Sequence, residues 1–262
     1  MKQSSTQVDS RLPTPLLVLI LLAVLILLGG LGVLLFLRDE YQQFVLINAI
    51  YLLLNLWAVI SLFYAASRSG AYVRRMALAW GFIASAYLCA GISNGIWVWL
   101  NAQQGFVAFP SLADVVFLGI YPLFLGGVLL LPAKRLTVSE WLATALDMTI
   151  VMIAAGLLYW HYLVAPTATV VSNQNLFIQL LALGPPVGDL LLLWGLLVLL
   201  YQRTSLQHVG PLFVLAGALV LAIVADSLYA MRAILGTYDS GGLLNITWVL
   251  ASLLYGTAGL WQ

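Results

Sequence analysis

The chain has 262 residues, 63% of them apolar and only 7% charged, with a net charge of +1. A soluble domain carries about 45–50% apolar and about 25% charged residues, so this composition excludes a water-facing surface and makes the chain an integral membrane protein seated in a lipid bilayer. Nothing in the charge balance suggests a nucleic-acid partner, and a single cysteine, Cys89, excludes an intrachain disulfide and any cysteine-based metal cluster.

A membrane-crossing helix needs about 20 mostly apolar residues. Eight such stretches are predicted, at 14–37, 44–67, 76–101, 113–132, 141–166, 176–203, 211–235 and 243–262. The first exceeds the roughly 7–15 apolar residues of a cleavable leader, and no small-x-small cleavage site follows it, so it reads as a retained helix. Arg38-Asp39-Glu40 closes it, because those charges cannot stay in hydrocarbon. The three arginines and Gly70 between Arg68 and Arg75 separate spans two and three. Pro132 with Lys134-Arg135 ends span four, and a glycine-bracketed turn, 236–242, precedes span eight. With the N-terminus inside, the cytoplasmic segments hold Lys2, Arg11, Arg68, Arg74, Arg75, Lys134, Arg135 and Arg203, and the outer side holds only Arg38 and Arg232. This positive-inside bias gives an all-α polytopic membrane protein with both termini cytoplasmic. Trp97, Trp99, Tyr159, Trp160 and Tyr201 lie near span ends and read as interface anchors.

The two halves, 1–131 and 132–262, align as a 4+4 repeat. Asp114 then falls on Asn245, Asn94 within one residue of Asp226, and Asn55 near Asp189 across a short gap. Four helices per half is an even number, so the repeats are parallel, related by an axis along the membrane normal.

Ionisable groups at membrane depth cost some 2.5–3.5 kcal/mol each on insertion scales and are functional hypotheses by default. Asp226 is expected in the outer half of span seven, with Tyr229 three residues on and on the same face. Asp114 opens span four after Ser111, where a carboxylate suits the helix dipole and the serine suits an N-cap. His161 and Arg232 lie near the outer ends of spans five and seven, where each can also reach the headgroups. Together with Asn94 and Asn245 they place six polar groups in the outer half of the bundle, a candidate ligand site. Asp189 sits mid-span in GPPVGDLLLL, and Pro185 and Pro186 predict a helix break there, either sealed by neighbours or flooring a polar cavity. Asp147 is expected about 9 Å from the cytoplasmic end of span five, without a special role.

Several chemistries are excluded. A retinal protein needs an intramembrane lysine, and Lys2 and Lys134 both lie outside the spans. His161 and His208 fall on opposite sides of the membrane, which does not suit bis-histidine haem ligation or a zinc site. No GxSxG, P-loop or HExxH occurs. Enzyme activity within this chain is not expected, no metal is assigned, and no cofactor is specified.

PSLADVVFLGIYPLFLGGVLLL, LDMTIVMIAAGLLYWHYLVAP, PPVGDLLLL and VADSLYA occur in that order over residues 76–262. This order resembles the multi-helix N-terminal membrane domain of bacterial diguanylate cyclases and related cyclic-di-GMP signalling proteins. Gly184-Pro185-Pro186 stands where that family more often has Tyr-Pro, and no GGDEF, EAL or kinase module follows within these residues. The resemblance implies a sensory input domain of the bacterial inner membrane that relays a small ligand or a membrane state to a cytoplasmic effector. A second copy of the chain is a further candidate partner. Two other readings are open: a small-solute transporter using the Pro185-Pro186-Asp189 break, and a structural subunit whose Gly29-Gly30 and Gly126-Gly127 permit close helix contacts.

Overall fold

The computed structural model describes residues 14–37, 39–70, 73–105, 107, 109–131, 137–201, 209–235, 237 and 244–262. The described residues are helical, without strands: α1 (Thr14–Phe36), α2 (Glu40–Gly70), α3 (Arg74–Gln104), α4 (Leu112–Leu118), α5 (Ile120–Leu130), α6 (Val138–Tyr159), α7 (Ala165–Val170), α8 (Leu176–Tyr201), α9 (Val209–Ile234) and α10 (Leu244–Trp261). Seven stretches among them are long and apolar enough to cross a membrane: 41–70, 74–104, 112–130, 138–170, 176–198, 210–233 and 244–261. The chain is a multi-pass membrane protein. Lys2, Arg11, Arg38, Lys134, Arg135, Arg203, His208 and most of the 236–242 turn lie outside the described residues.

Local chemistry sets the helix ends and breaks. Gly105 closes α3 in the left-handed conformation (φ 73°), its N–H donating to the Asn101 carbonyl at 2.8 Å. The single span expected at 113–132 is two helices. Pro122 has no N–H for the Leu118 carbonyl, and the chain breaks at Gly119, whose N–H takes the tighter bond to Val116 O at 3.1 Å. Pro166 likewise removes the donor due to Tyr162. There the helix widens into a π-turn, Trp160–Val164, with the Ala165 N–H reaching back to Trp160 O before α7 resumes. Thr137 and Glu140 cap α6 reciprocally. This cap starts α6 earlier than expected, so Asp147 lies about 14 Å into it, exposed on the outer face.

At the expected break, α8 runs through both Pro185 and Pro186 as one helix. One side of α8 is glycine, which lets it lie directly on α4 and α5. A Cβ on Gly184 would sit 2.5 Å from Leu118, one on Gly188 2.3 Å from the Tyr121 ring, and one on Gly195 2.9 Å from Leu125. This close contact holds the helix together where two backbone bonds are missing.

Six spans form a closed ring. α2 packs on α3, α3 on α4 and α5, these on α8, α8 on α9, α9 on α10, and α10 back on α2. α1 rests outside on α2 and α10, and α6 outside on α8. The difference in burial is large: 61% of the apolar window of α10 is inside the protein, against 6% for the window holding α6. In the half of the ring next to Arg68, Arg74 and Arg75, buried apolar side chains among the described residues fill the interior. Leu62, Ala79, Trp80, Ile83, Val128, Leu196, Leu215 and Ala258 are packed there. Backbones touch in this half, since a Cβ on Gly259 would meet Ser61 backbone atoms at 2.8 Å. Gly127 is spent in the same way, against Ile83 and the Ala79 carbonyl.

Candidate functional site

The other half of the ring is hollow. A cavity of about 410 Å³ occupies it, lined from α2, α3, α4, α5, α8, α9 and α10, with Thr167 of α7 and Phe109 of the connection before α4. The volume lies within the roughly 300–1,000 Å³ of small-molecule sites. Lining positions on α10 run from Asn245 to Tyr255, which makes the cavity about 15 Å deep.

Regular helices bring these residues together because each presents one face. On α9, Leu219, Ala222, Ile223, Asp226, Tyr229, Ala230 and Ala233 recur at three- and four-residue steps. On α3 the face is Tyr87, Ala90, Ser93, Asn94 and Trp97, and on α10 it is Asn245, Trp248, Ala251 and Tyr255.

Five of the seven residues expected at a ligand site line this cavity: Asp226, Asp114, Asn94, Asn245 and Tyr229. So do Pro185, Pro186 and Asp189. The outer-half polar cluster and the double proline, expected as separate features, are thus parts of one cavity. His161 and Arg232 do not line it. His161 is exposed beside Tyr162, with ring centroids 4.7 Å apart, and Arg232 is exposed on the last turn of α9. Asn55 does not line it either; it is buried between α2 and α3, its Nδ2 3.5 Å from the Tyr87 carbonyl.

Each acid is held differently. Asp226 Oδ1 accepts a 2.7 Å hydrogen bond from Trp248 Nε1, joining α9 to α10. The Tyr229 ring packs edge-on to Trp248 at 5.8 Å. Asp114 Oδ2 accepts from both the N–H and the hydroxyl of Ser111, at 2.7 Å each, at the start of α4. Asp189 is deeper and 2% exposed. The Tyr121 hydroxyl lies near its carboxyl without a hydrogen bond to it. Asn94 Nδ2 is also buried without a partner. Around these groups, Tyr87 meets Ser252 Oγ at 3.1 Å and stacks on Tyr255 at 4.4 Å, and Ser93 donates to Ala113 O at 2.8 Å, tying α3 to α4.

Trp97, expected as an interface anchor, turns inward to the cavity and packs 6.0 Å from Phe44. Tyr159 is also drawn in, its hydroxyl 2.7 Å from Ser227 Oγ, whereas Trp99 and Trp160 are exposed. The sequence reading did not assign Tyr51, Tyr87, Tyr121, Trp248 and Tyr255 to the site. Their signal is helical phase: Trp248 is three residues from Asn245, and Tyr87 seven from Asn94, on the same faces. Among the described residues, no three His, Cys, Asp or Glu side chains converge as a metal ion requires. The cavity offers carboxylates and unused polar atoms on aromatic walls, which suits binding.

No family model matches the chain, and neither a curated protein nor a solved structure is significantly similar to it. These comparisons identify no signalling input domain of the kind that the motif order resembles.

Proposed function

We propose that this chain is a sensory input domain of the bacterial inner membrane, with eight spans and both termini cytoplasmic. A small molecule enters the cavity from the outer side and biases the packing of the ring, and α10 carries the change to a cytoplasmic effector. One observation carries this reading: every span of the ring contributes to one cavity at one end, while at the other end the described residues pack a buried core. A ligand there contacts the whole ring at once, so a difference in affinity between two packings shifts their populations. α10 is suited to the relay, since Asn245, Trp248 and Tyr255 line the cavity while Gly256 and Gly259 lie against Trp57 and Ser61 further along. The 4+4 repeat is supported by the ring order, three spans of each half in sequence with α1 and α6 outside.

A thermal-shift screen of small molecules on purified protein tests this reading. Compounds that stabilise the wild-type chain but not Asp226→Ala or Asp114→Ala are expected. If every stabilising compound acts equally on all three, the cavity is not the ligand site.

The carrier reading is favoured by one feature, the double proline of α8 beside Asp189. Solute flux in proteoliposomes that disappears in Asp189→Asn would support it over the sensor.

A further inference from the structure

The cavity has a charge pattern that selects its occupant. Three carboxylates, Asp114, Asp189 and Asp226, line it, and no lysine, arginine or histidine does so among the described residues. Arg232, two turns from Asp226 on the same helix, is exposed and outside it. A cation in a low-dielectric interior stabilises the charged form of a carboxyl group, and among the described residues the protein supplies none at this cavity.

The walls point the same way. Ten of the lining residues are aromatic. Aromatic faces attract cations most strongly where water is excluded, and cages of such rings are the usual receptors for organic ammonium groups. Trp248 and Tyr229 stand beside Asp226, so charge and ring faces occur at one place. Tyr121 lines the cavity, and its buried hydroxyl has no hydrogen-bond partner within the described residues. That is a polar group, next to Asp189, left for a bound molecule. A bare metal ion fits poorly, because the acids do not converge and the space is much larger than an ion.

The geometry points to an organic cation as the ligand: a molecule with an ammonium group seated by Asp226, Trp248 and Tyr229 and an apolar or aromatic body lying toward Tyr121. This inference rests on the reading that the cavity binds a ligand, and adds the ligand's chemical class.

The test uses three probes of one skeleton: phenylpropyltrimethylammonium, its uncharged isostere with a quaternary carbon in place of nitrogen, and 4-phenylbutyrate. Each is titrated against tryptophan fluorescence of the full chain in phosphatidylcholine nanodiscs, which carry no net charge, with empty nanodiscs as control. The ammonium probe is expected to bind about tenfold or more tighter than the isostere, the ratio that one desolvated cation–aromatic contact gives, and the carboxylate most weakly. Asp226→Asn keeps an oxygen to accept from Trp248 and, with the rings still in place, is expected to lower the preference for the cation by about threefold or more. Asp226→Glu restores the preference, and Asp114→Asn replaces Asp226→Asn should the latter fail to fold. If the isostere or 4-phenylbutyrate binds the wild type as tightly as the cation, the inference falls while the cavity stands as a ligand site. If none of the three binds, both the inference and the reading beneath it fall.

Discussion

Trp248 and Asp226 sit on neighbouring helices and share a hydrogen bond of 2.7 Å beside the cavity. Removing a partner of a buried donor costs its desolvation, about 1–3 kcal/mol, whereas a substitute acceptor largely avoids it. Thermal unfolding is therefore expected to show Asp226→Ala destabilised by about that amount and Asp226→Asn close to wild type. Asp114 has a local structural duty, since both its contacts go to Ser111 at the start of α4. Ser111→Ala is expected to cost about 0.5–2 kcal/mol in the same assay, as loss of a helix cap does. At this scale the acids and amides were legible, because a polar side chain in an apolar span announces itself. The aromatic walls were not. A tryptophan near a span end has the same composition signal whether it faces headgroups or turns inward, and Trp97 does the second.

Among the elements, the informative positions are glycines and prolines. Without a hydrophobic drive between helices in lipid, close packing at small residues must hold them together. Gly259 abuts Ser61 backbone atoms that cannot move aside. Gly259→Ala is expected to lose about 1–3 kcal/mol to overpacking. Gly217→Ala, with nothing within 4 Å of the added carbon, should gain as much as about 1 kcal/mol from helix propensity. Unfolding titrations in mixed detergent compare the two, and equal effects would contradict the packing assigned to α10. The span positions were readable from hydropathy, but their interruptions less so. Pro122 and Pro166 each perturb a helix about one turn earlier, as a break at Gly119 and a π-turn at Trp160–Val164. Pro185 and Pro186 leave α8 continuous. What decides is the neighbour: Leu118 and Tyr121 press on the glycine face of α8, and sequence alone does not say which helix lies there.

For the whole molecule, the composition sufficed to place the chain in a membrane, and the depth of the polar residues within their spans pointed to one end of the bundle. The ring itself was not legible, because apolar helices carry almost no information about which of them are neighbours. Its consequence is a cavity that reaches one end and stops against the packed core below Tyr255 and Phe124. Single-sided access is the property on which the sensor account depends. In a Cys89→Ser background, a cysteine placed at Ala230, on the cavity face of α9, is exposed to a membrane-impermeant thiol reagent in spheroplasts and in inside-out vesicles. The account predicts labelling in spheroplasts and protection in inside-out vesicles. Labelling from the cytoplasmic face, from both faces or from neither would contradict it.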